Sequence, residues 1–345
     1  MKIGIHYTKT SFSDRWIEYC IANDIKYKLV DCYKTDIIQQ LSDCDALMWH
    51  FSHFSAKDFL FAKELIFSVE ADGKKVFPDF CTAWHFDDKL GQKYLLEAIG
   101  APLVPTWIFY DKDTAIQWLN RTDLPKVFKL REGAGSQNVK LVRSRGQARR
   151  LICRAFGRGF PVYDNIGYMK EWRHKYRLGK SNLMDLSKEI IRFIFPAPYA
   201  RIKGREKGYI YFQEYIPGNA FDIRIIIVGE KAFGIKRMVR KNDFRASGSG
   251  MVLYEREHFN DETVRLSFQM ADKLKSQCAA FDFIYSGTRI YVTEVSYGFI
   301  KEVYDPCTGY WDKDLNWYEG KFNPYGWMVD NLIKEVEEKK GSRRY

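Results

Sequence analysis

Apolar and polar positions along the first 84 residues alternate between two patterns. Short apolar runs are typical of buried strands, and segments with apolar residues three or four apart are typical of helices. The strand-like runs lie at 2–7, 27–33 and 46–51, and the helix-like segments lie at 14–22 and 35–41. This alternation predicts a small parallel sheet, and therefore a Rossmann-like domain over 1–84. No GxGxxG sequence follows a strand, so a dinucleotide site is not expected.

The next segment, up to residue 142, alternates helical and strand-like patterns around a glycine-containing loop. We predict a helix at 87–100, a strand at 106–110, a helix at 112–120 and strands at 126–130 and 139–142. The loop therefore connects two strands. A P-loop would lead from a strand into a helix and would contain GK[ST], which this chain lacks.

The second half of the chain is rich in strand patterns from residue 209 onwards. In YIYFQEYIPGNAFDIRIIIVGEKAFGIKRMV, turns at 217–219 and 229–231 separate three strands. A helix at 261–278, strands at 280–285 and 289–295, and a helix at 327–338 follow. We expect a mostly antiparallel sheet with helices on one side. The fold class is therefore α/β, with α+β character after the first domain.

The composition is that of a globular protein with more than one domain. The chain has 345 residues, of which 46% are hydrophobic and 16% aromatic, enough for several cores. Its seven cysteines are scattered without a CxxC spacing, which indicates neither a disulfide framework nor a zinc site and suits a reducing cytoplasm. No signal-peptide pattern occurs, and no stretch approaches the roughly 20 apolar residues of a membrane span. We therefore expect a soluble, cytoplasmic protein.

The positive charge is concentrated in one segment. Of the formal net charge of +11, residues 168–208 carry +7, from eleven Lys or Arg and four Asp or Glu. Nucleic-acid binding is disfavoured because the basic residues are local, and one anionic partner is favoured. The alternative is a solvated surface without a partner.

Four charged or flexible features occur in one order along the chain. Lys89 lies in DDKLGQ, Lys129 precedes a small-residue loop in VFKLREGAGSQNV, and Asp222 follows the strand end QEYI. Asp282 and Glu294 lie on two neighbouring strands. A strand lysine beside such a loop can bind polyphosphate, and paired acids can hold the magnesium that accompanies ATP. Together these features predict an ATP site.

The two acids belong to AAFDFIYSGTRIYVTEVSYGF, which we predict to be a hairpin with its turn at 286–288. The hairpin would bring Asp282 and Glu294 across from each other on one face. That arrangement suits one or two metal ions. The structural alternative is an ion pair with a basic residue of the same sheet.

These motifs make residues 85–300 similar to the ATP-grasp superfamily, and most similar to its glutathione synthetase and ribosomal-protein glutamate ligase (RimK-like) branch. The resemblance implies an N-terminal Rossmann-like domain and two α+β subdomains that enclose ATP. The implied boundaries are 1–84 for the first domain, 85–215 for the small subdomain with a basic insert at about 157–208, 216–335 for the large subdomain with the metal site, and 336–345 for a tail.

The resemblance also implies which residues bind the nucleotide. The two lysines would contact the phosphates, the loop 133–138 would close over them, the QEYI backbone would meet adenine, and the Asp of FDIR would bind the ribose. The arginines of IKRMVRKNDFR would lie near the γ-phosphate. The implied nucleotide-binding residues are Lys89, Lys129, Gly133, Gly135, Ser136, Gln213, Glu214, Tyr215, Ile216 and Asp222, and the implied catalytic residues are Arg237 and Arg245.

The metal motif departs from the family pattern. The family usually has Glu-x-Asn, whereas here Glu294 is followed by Ser296, a neutral and shorter ligand. The implied metal ligands are therefore Asp282, Glu294 and Ser296. The implied cofactors are ATP and one or two Mg²⁺ ions, with Mn²⁺ as a substitute.

The implied activity is that of an ATP-dependent carboxylate–amine ligase, which forms an amide through an acyl phosphate and releases ADP and phosphate. The partners would be a carboxylate of a small molecule, glycan or peptide, together with an amine. The segment 168–208 would bind a large anionic acceptor, as in glycan modification or peptide amidation. Two alternatives are a grasp-type kinase that phosphorylates a polyanionic hydroxyl compound, and an ATP-regulated module that binds an anionic polymer.

Two further groups of residues have both a binding and a packing interpretation. Histidines in MWHFSHFS lie at a strand end where open α/β sheets bind ligands, although packing is the more common role. An aromatic group near the carboxyl end could stack on sugar rings or fill a core. The residues are His50 and His53 in the first group, and Tyr310, Trp311, Trp317, Tyr318 and Trp327 in the second.

Overall fold

The computed structural model of the chain describes residues 1–9, 11–52, 55–133, 138–161, 202–239, 244–246 and 250–342. The chain forms two compact units. The first comprises Met1–Phe86, Leu95–Pro102 and Gly218–Tyr345, and the second comprises Asp87–Tyr94 and Leu103–Pro217. The first unit thus combines the N-terminal domain with the C-terminal part of the chain.

The N-terminal part of the first unit is a parallel sheet in the order β2-β1-β3-β4. Met48 joins one hydrophobic cluster and Leu47 joins another, so both faces of the sheet are covered. The parallel sheet predicted for this region is confirmed. Its elements are β1 (Ile3–His6), α1 (Ser13–Ala22), β2 (Tyr27–Val30), α2 (Ile37–Gln40), β3 (Ala46–Met48), α3 (Ala56–Ala71), β4 (Lys75–Phe77) and α4 (Phe80–Ala83).

The second unit contains an antiparallel sheet, which has the order β5-β10-β6-β7 within the described ranges. One face packs on two helices through Phe128, Phe212 and Ile152. Lys129 and Gln213 lie on the opposite face, because side chains alternate along a strand. The elements are α5 (Lys89–Ala98, which continues into the first unit), β5 (Thr106–Phe109), α6 (Lys112–Arg121), β6 (Lys126–Lys129), β7 (Lys140–Val142), α7 (Arg145–Ala155), β8 (Phe160–Pro161), its partner β9 (Arg205–Glu206) and β10 (Ile210–Glu214).

The C-terminal part of the first unit is a larger antiparallel sheet, with the order β15-β14-β11-β12-β16-β17 and β13 paired to β12. Because β10 and β11 belong to different sheets, the predicted turn at 217–219 connects two sheets and does not close a hairpin. The elements are β11 (Phe221–Val228), β12 (Lys231–Met238), β13 (Val252–Leu253), α8 (Asp261–Leu274), β14 (Cys278–Ser286), β15 (Arg289–Ser296), α9 (Lys301–Tyr304), β16 (Gly309–Asp312), β17 (Trp317–Glu319) and α10 (Pro324–Ser342).

Both faces of the larger sheet are covered. On one face, Tyr285 of β14 is hydrogen-bonded to Thr263 of α8 through their hydroxyl groups, 2.9 Å apart. On the other face, Ile226 and Phe233 join the cluster that contains Ile5 of β1 and Met328 of α10. The prediction of helices on one side only was therefore wrong, because both faces of β11 and β12 are apolar along much of their length.

Side-chain caps fix the beginnings of several helices. Asp111 accepts the backbone N–H of Thr114 at the start of α6, and Asn260 accepts that of Thr263 at the start of α8. Such caps satisfy backbone donors that the first helical turn leaves unpaired. The predicted helical segments at 112–120 and 261–278 therefore begin where their sequences contain a capping residue.

Candidate functional site

One end of the larger sheet carries charged residues on the face that is otherwise apolar. The register pairs Asp222 with Arg237 across β11 and β12, and Arg224 with Asp282 across β11 and β14. Asp282 is in turn paired with Glu294 on β15. Residues two apart on a strand, or paired across strands, share a face, so all five side chains lie on the same side of the sheet.

The two aspartates and two arginines form one ion-pair network. Arg237 donates to both carboxylate oxygens of Asp222, at 2.6 Å from Nε and 2.8 Å from Nη2. Arg224 makes the same two-pronged contact with Asp282, with Nη2 at 2.8 Å from Oδ2. Arg237 joins the two pairs, because its Nη2 lies 3.0 Å from Oδ2 of Asp282. Two parallel N–H···O bonds from one guanidinium group to one carboxylate are typical of arginine ion pairs.

Burial and the neighbouring charges shift the pKa values of these groups in opposite directions. Burial alone would raise the pKa of Asp282, but the charges of Arg224 and Arg237 outweigh it and hold that pKa well below its usual range. Burial would likewise lower the pKa of Arg224, and Asp282 reverses the effect. Burial raises the pKa of the hydroxyl of Tyr304 in α9 and outweighs the opposing effect of the nearby Arg224 charge. Asp282 and the two arginines are therefore charged near neutral pH, whereas burial raises the pKa of Asp222.

A β-bulge places Glu294 opposite Asp282. Counted from the turn, a regular hairpin would pair Asp282 with Thr293 and would turn Glu294 to the other face. The register shifts between Asp282 and Phe283, so two residues of β15 oppose Asp282. The shift keeps Val292 and Val295 in the core and puts the acid on the charged face.

This acid pair fits a magnesium ion by donor type. Mg²⁺ is commonly held by one or two carboxylates, with the remaining positions filled by water and by phosphate oxygens of the substrate. Among the described residues no group of three or more His, Cys, Asp or Glu converges, so protein carboxylates would supply only part of such a coordination shell. Ser296 Oγ donates to the carbonyl of Gly298 at 3.0 Å and accepts its N–H at 3.1 Å. Its role as a ligand stays a prediction.

In the second unit, hydrogen bonds join the start of α5 to Gly133, the first residue of the small-residue loop. Buried Lys89 donates from Nζ to the carbonyl of Gly133 at 2.9 Å, and the Gly133 N–H donates to Asp87 Oδ1 at 3.0 Å. Beside them, Asp88 accepts from Nε of Arg131 at 3.0 Å and from Nη2 at 2.5 Å. The lysine predicted to bind phosphate therefore lies at the base of the loop predicted to cover it.

The remaining predicted residues of the second unit lie on β6 and β10. Lys129 is paired with Tyr211, and Gln213 is buried and donates to Thr106 Oγ1 at 3.0 Å. Glu214, at the end of β10, forms an ion pair with Lys126 at 2.9 Å. Tyr215 and Ile216 follow as half-buried residues in the connection to β11.

Several predicted site residues lie outside the described residues, and one lies in a short described stretch. Gly135, Ser136 and His53 are outside, as is the part 162–201 of the basic insert at about 157–208. Arg245 lies in the short described stretch 244–246 and is half-buried. Predictions that concern these residues stay predictions.

Solved structures of ATP-grasp proteins resemble the whole chain. A RimK domain protein from Sphaerobacter thermophilus has 12% identity and a TM-score of 0.55, with 96% of this chain and 100% of that chain covered. D-alanine–D-alanine ligase from Bacillus anthracis, complexed with ATP, has 13% identity and a TM-score of 0.58, with 99% of each chain covered. The ATP-grasp ligase PsnB, complexed with minimal precursor, Mg and ADP, has 11% identity and a TM-score of 0.56, with 97% and 98% covered. The chain has the ATP-grasp fold.

A family model supports the same conclusion for part of the chain. Residues 200–302 match the RimK-like ATP-grasp domain. This segment contains the charged face of the larger sheet, with Asp222, Arg237, Asp282 and Glu294. The predicted resemblance to the RimK-like branch of the ATP-grasp superfamily is confirmed there, whereas the match leaves out residues 85–199. No curated protein sequence matches the chain.

Sequence reasoning missed Arg224 and Tyr304. Arg224 is the final residue of FDIR, two positions after Asp222, so strand alternation places it on the face of the predicted acids. That spacing was a usable signal. Tyr304 gave none, because its approach to Arg224 depends on the position of a short helix after β15.

Packing contacts surround His50 and the aromatic group near the carboxyl end. His50 stacks on Phe12 with ring centroids 3.7 Å apart and accepts the Phe12 N–H at 3.0 Å. In the aromatic group, Tyr310 stacks on Tyr318 at 5.1 Å, and Trp311 is 1% exposed. These contacts favour the packing interpretation for both. Separately, no helix within the described ranges is long and apolar enough to cross a membrane.

Proposed function

We propose that this protein is an ATP-dependent carboxylate–amine ligase. The fold and the RimK-like segment support ATP-dependent ligation in general terms. The observation that carries the proposal is the charged face of the larger sheet, where the Asp282 and Glu294 pair lies beside two arginines in an otherwise apolar surface. Carboxylates for a cation and guanidinium groups for phosphate oxygens are what phosphoryl transfer to a carboxylate requires.

The residues that the resemblance implies would bind the nucleotide. Lys89 and Lys129 would neutralise the phosphates, with Gly133, Gly135 and Ser136 covering them. The backbone of Gln213, Glu214, Tyr215 and Ile216 would contact adenine. Asp222 would accept the ribose hydroxyls, and because Arg237 binds both oxygens of this carboxylate, the ribose would share it with the arginine.

The first chemical step would phosphorylate the carboxylate. Its oxygen attacks the γ-phosphorus, the bond from that phosphorus to the bridging oxygen breaks, and ADP leaves. When bound at Asp282 and Glu294, magnesium supplies charge neutralisation for the transferring phosphate. Arg237 and Arg245 would stabilise the same negative charge through hydrogen bonds, and Arg224 would hold Asp282 in position.

The second step would form the amide. The amine nitrogen attacks the acyl carbon and loses a proton, the bond from that carbon to the phosphate oxygen breaks, and inorganic phosphate leaves. Exclusion of water matters here because water would hydrolyse the acyl phosphate. ADP and phosphate are therefore expected in equal amounts, together with one amide.

The test is the release of ADP and phosphate from magnesium-ATP in the presence of pooled carboxylates and amines. We expect both products to appear together and to require both pools. Lys129→Ala and Glu294→Gln should each lower the rate at least tenfold, because each removes a charge that acts on the phosphates. Lys112→Ala and Glu319→Gln, at exposed positions of the same residue types, serve as matched controls and should keep the wild-type rate.

Other product patterns would contradict the ligase. ADP without free phosphate, formed with an alcohol pool, would establish the grasp-type kinase. Binding of ATP without turnover in any pool, together with salt-sensitive binding of an anionic polymer such as heparin, would establish the binding module instead.

A further inference from the structure

A second run of basic residues lies in the second unit, around helix α7. Residues 138–161 contain seven Lys or Arg and no Asp or Glu, and six of the seven are arginines. The sequence disfavours nucleic acid as a partner as long as the basic residues are local to 168–208. This second run extends the positive charge beyond that segment.

Helix α7 turns its apolar side inward and most of its arginines outward. Ala148, Ile152 and Ala155 are buried in the cluster that also contains Phe212 of β10. The opposite half of the helix is exposed. Four arginines, here called the α7 basic surface, are exposed there or beside the two ends of the helix, and none of them has an ion pair within the described ranges: Arg143, Arg149, Arg150 and Arg158.

Neighbouring arginines add charge to this surface. Arg145 donates from Nη1 to the carbonyl of Leu119 at 2.6 Å. Arg205 of β9 donates from Nε to the carbonyl of Arg158 at 2.6 Å, which places a second guanidinium group at the end of α7. Carbonyl oxygens carry no net charge, so these hydrogen bonds fix the two side chains without neutralising them.

An anionic membrane is a poor match for the α7 basic surface. Helices that lie on a membrane bury an apolar face in it, and the apolar face of α7 is already buried in the core of the second unit. No large apolar side chain of residues 138–161 is exposed. The surface therefore offers charge without a group that could enter the lipid.

An acidic peptide is also a poor match. Protein interfaces owe most of their affinity to a few buried anchors, and exposed ion pairs contribute only about 0–1 kcal/mol each. A nucleic-acid duplex needs no such anchor. It carries one negative charge per roughly 1.7 Å, and the counterions that it releases on binding supply the affinity. Arginine also forms paired hydrogen bonds with phosphate oxygens.

The dimensions of α7 suit a duplex backbone. The helix has 11 residues, and is therefore about 16 Å long, which spans about five phosphates along one strand. Along its outward side, Arg150 is preceded four residues earlier by Gly146 and followed three residues later by Cys153, so small side chains flank it. A rigid backbone can therefore approach the arginine closely.

We propose that the α7 basic surface binds double-stranded nucleic acid through its phosphates. This site goes beyond the proposed ligase function and does not depend on it. No aromatic side chain of residues 138–161 is exposed, so stacking on bases is not expected. Contacts to phosphates carry no sequence information, and binding should therefore be independent of the base sequence.

The first experiment measures how binding depends on salt. The probes are two fluorescently labelled DNA duplexes of unrelated sequence and about 20 base pairs, titrated without ATP at several KCl concentrations and followed by anisotropy. We expect equal affinity for the two sequences. The logarithm of the association constant should fall with the logarithm of the salt concentration with a slope of about −4, since four arginines contact phosphates.

The double variant Arg149→Gln, Arg150→Gln tests the surface itself. It should reduce the slope to about −2 and weaken binding about tenfold or more at low salt, because two phosphate contacts are lost. The matched control is the double variant Arg265→Gln, Arg289→Gln, which removes two exposed arginines of the first unit and should bind like wild type. The variant Arg149→Lys, Arg150→Lys keeps both charges and should keep the slope.

Several outcomes would overturn the proposal. Wild type that binds neither duplex, or a duplex affinity that is unchanged in Arg149→Gln, Arg150→Gln, would show that this surface is not a nucleic-acid site. Parallel titrations use poly-L-glutamate and vesicles of equal parts phosphatidylcholine and phosphatidylserine. Tighter binding of either probe than of the duplexes, lost in the same variant, would identify an acidic chain or a membrane as the partner instead.

Failure of this site and failure of the ligase are distinguishable. Binding of the duplexes is measured without ATP, carboxylate or amine, so it does not require turnover. Release of ADP and phosphate from the small-molecule pools should be the same in wild type and in Arg149→Gln, Arg150→Gln, because the two arginines lie outside the proposed nucleotide and metal sites. Thermal unfolding of the same variant should match wild type, since both side chains are exposed.

Discussion

The two arginines that contact Asp282 keep its carboxylate charged. Its side chain is 10% exposed, and it contacts Arg224 and Arg237, whose side chains are 18% and 9% exposed. A buried ion pair contributes little net stability compared with an apolar pair, but removing one partner leaves an uncompensated charge. Single substitutions at this site should therefore change folding stability as well as activity.

Replacement of Asp282 by Asn should destabilise the protein by about 3 kcal/mol, because Arg224 and Arg237 would keep their charges and lose a buried counter-charge. Denaturation by urea, followed by circular dichroism, measures the change. Asp24→Asn is the matched control, since Asp24 is exposed and has φ 53°, a conformation that Asn tolerates. Equal stability of the two variants would contradict the buried network.

The same carboxylate predicts how stability depends on pH. The pKa of Asp282 is lower in the folded chain than in the unfolded chain, so the folded state is stabilised above the unfolded value, and that stabilisation is lost as the pH falls. The unfolded value is about 4. Below about pH 4, wild type should lose stability more steeply than Asp282→Asn, as measured by urea unfolding at successive pH values. Parallel curves for the two proteins would contradict the lowered pKa.

At the scale of elements, the hairpin β14–β15 shows what the sequence could and could not predict. The two strands, their turn and the approach of Asp282 to Glu294 were predicted correctly. The bulge was not predicted, although a regular hairpin would separate the two acids. The spacing of Val292 and Val295, which are both buried but three residues apart, breaks strict alternation and was the available signal.

The neighbouring strand β12 offers a test of strand packing. A Cβ added at Gly234 would lie 2.7 Å from Ile225 Cδ1 and 2.9 Å from the carbonyl oxygen of Arg224, closer than side chains approach. Gly234→Ala should therefore destabilise the protein by about 1–3 kcal/mol. Gly146→Ala, in α7 with no atom within 4 Å of the added carbon, should be neutral or stabilising by up to about 1 kcal/mol. Thermal unfolding measures both, and equal melting temperatures would contradict the close packing.

At the scale of the whole molecule, the local sequence pattern predicted the helices and strands better than it predicted which of them pack together. The parallel N-terminal sheet followed from its alternation of strands and helices. The assignment of β10 and β11 to different sheets, and the cover of both faces of the larger sheet, depend on contacts between distant segments. The spacing of apolar residues within one segment carries no information about such contacts. Strand alternation in the sequence could have identified Arg224, whereas the position of Tyr304 near it depends on the folded chain.

The central claim is that a carboxylate is activated as an acyl phosphate. In that chemistry one carboxylate oxygen is transferred to the phosphate that leaves. The decisive measurement is mass spectrometry of inorganic phosphate released from magnesium-ATP with the carboxylate pool labelled by ¹⁸O and the amines unlabelled. We predict one ¹⁸O atom in each phosphate released in step with amide formation. Unlabelled phosphate, or transfer of the phosphate to a hydroxyl group, would contradict the ligase.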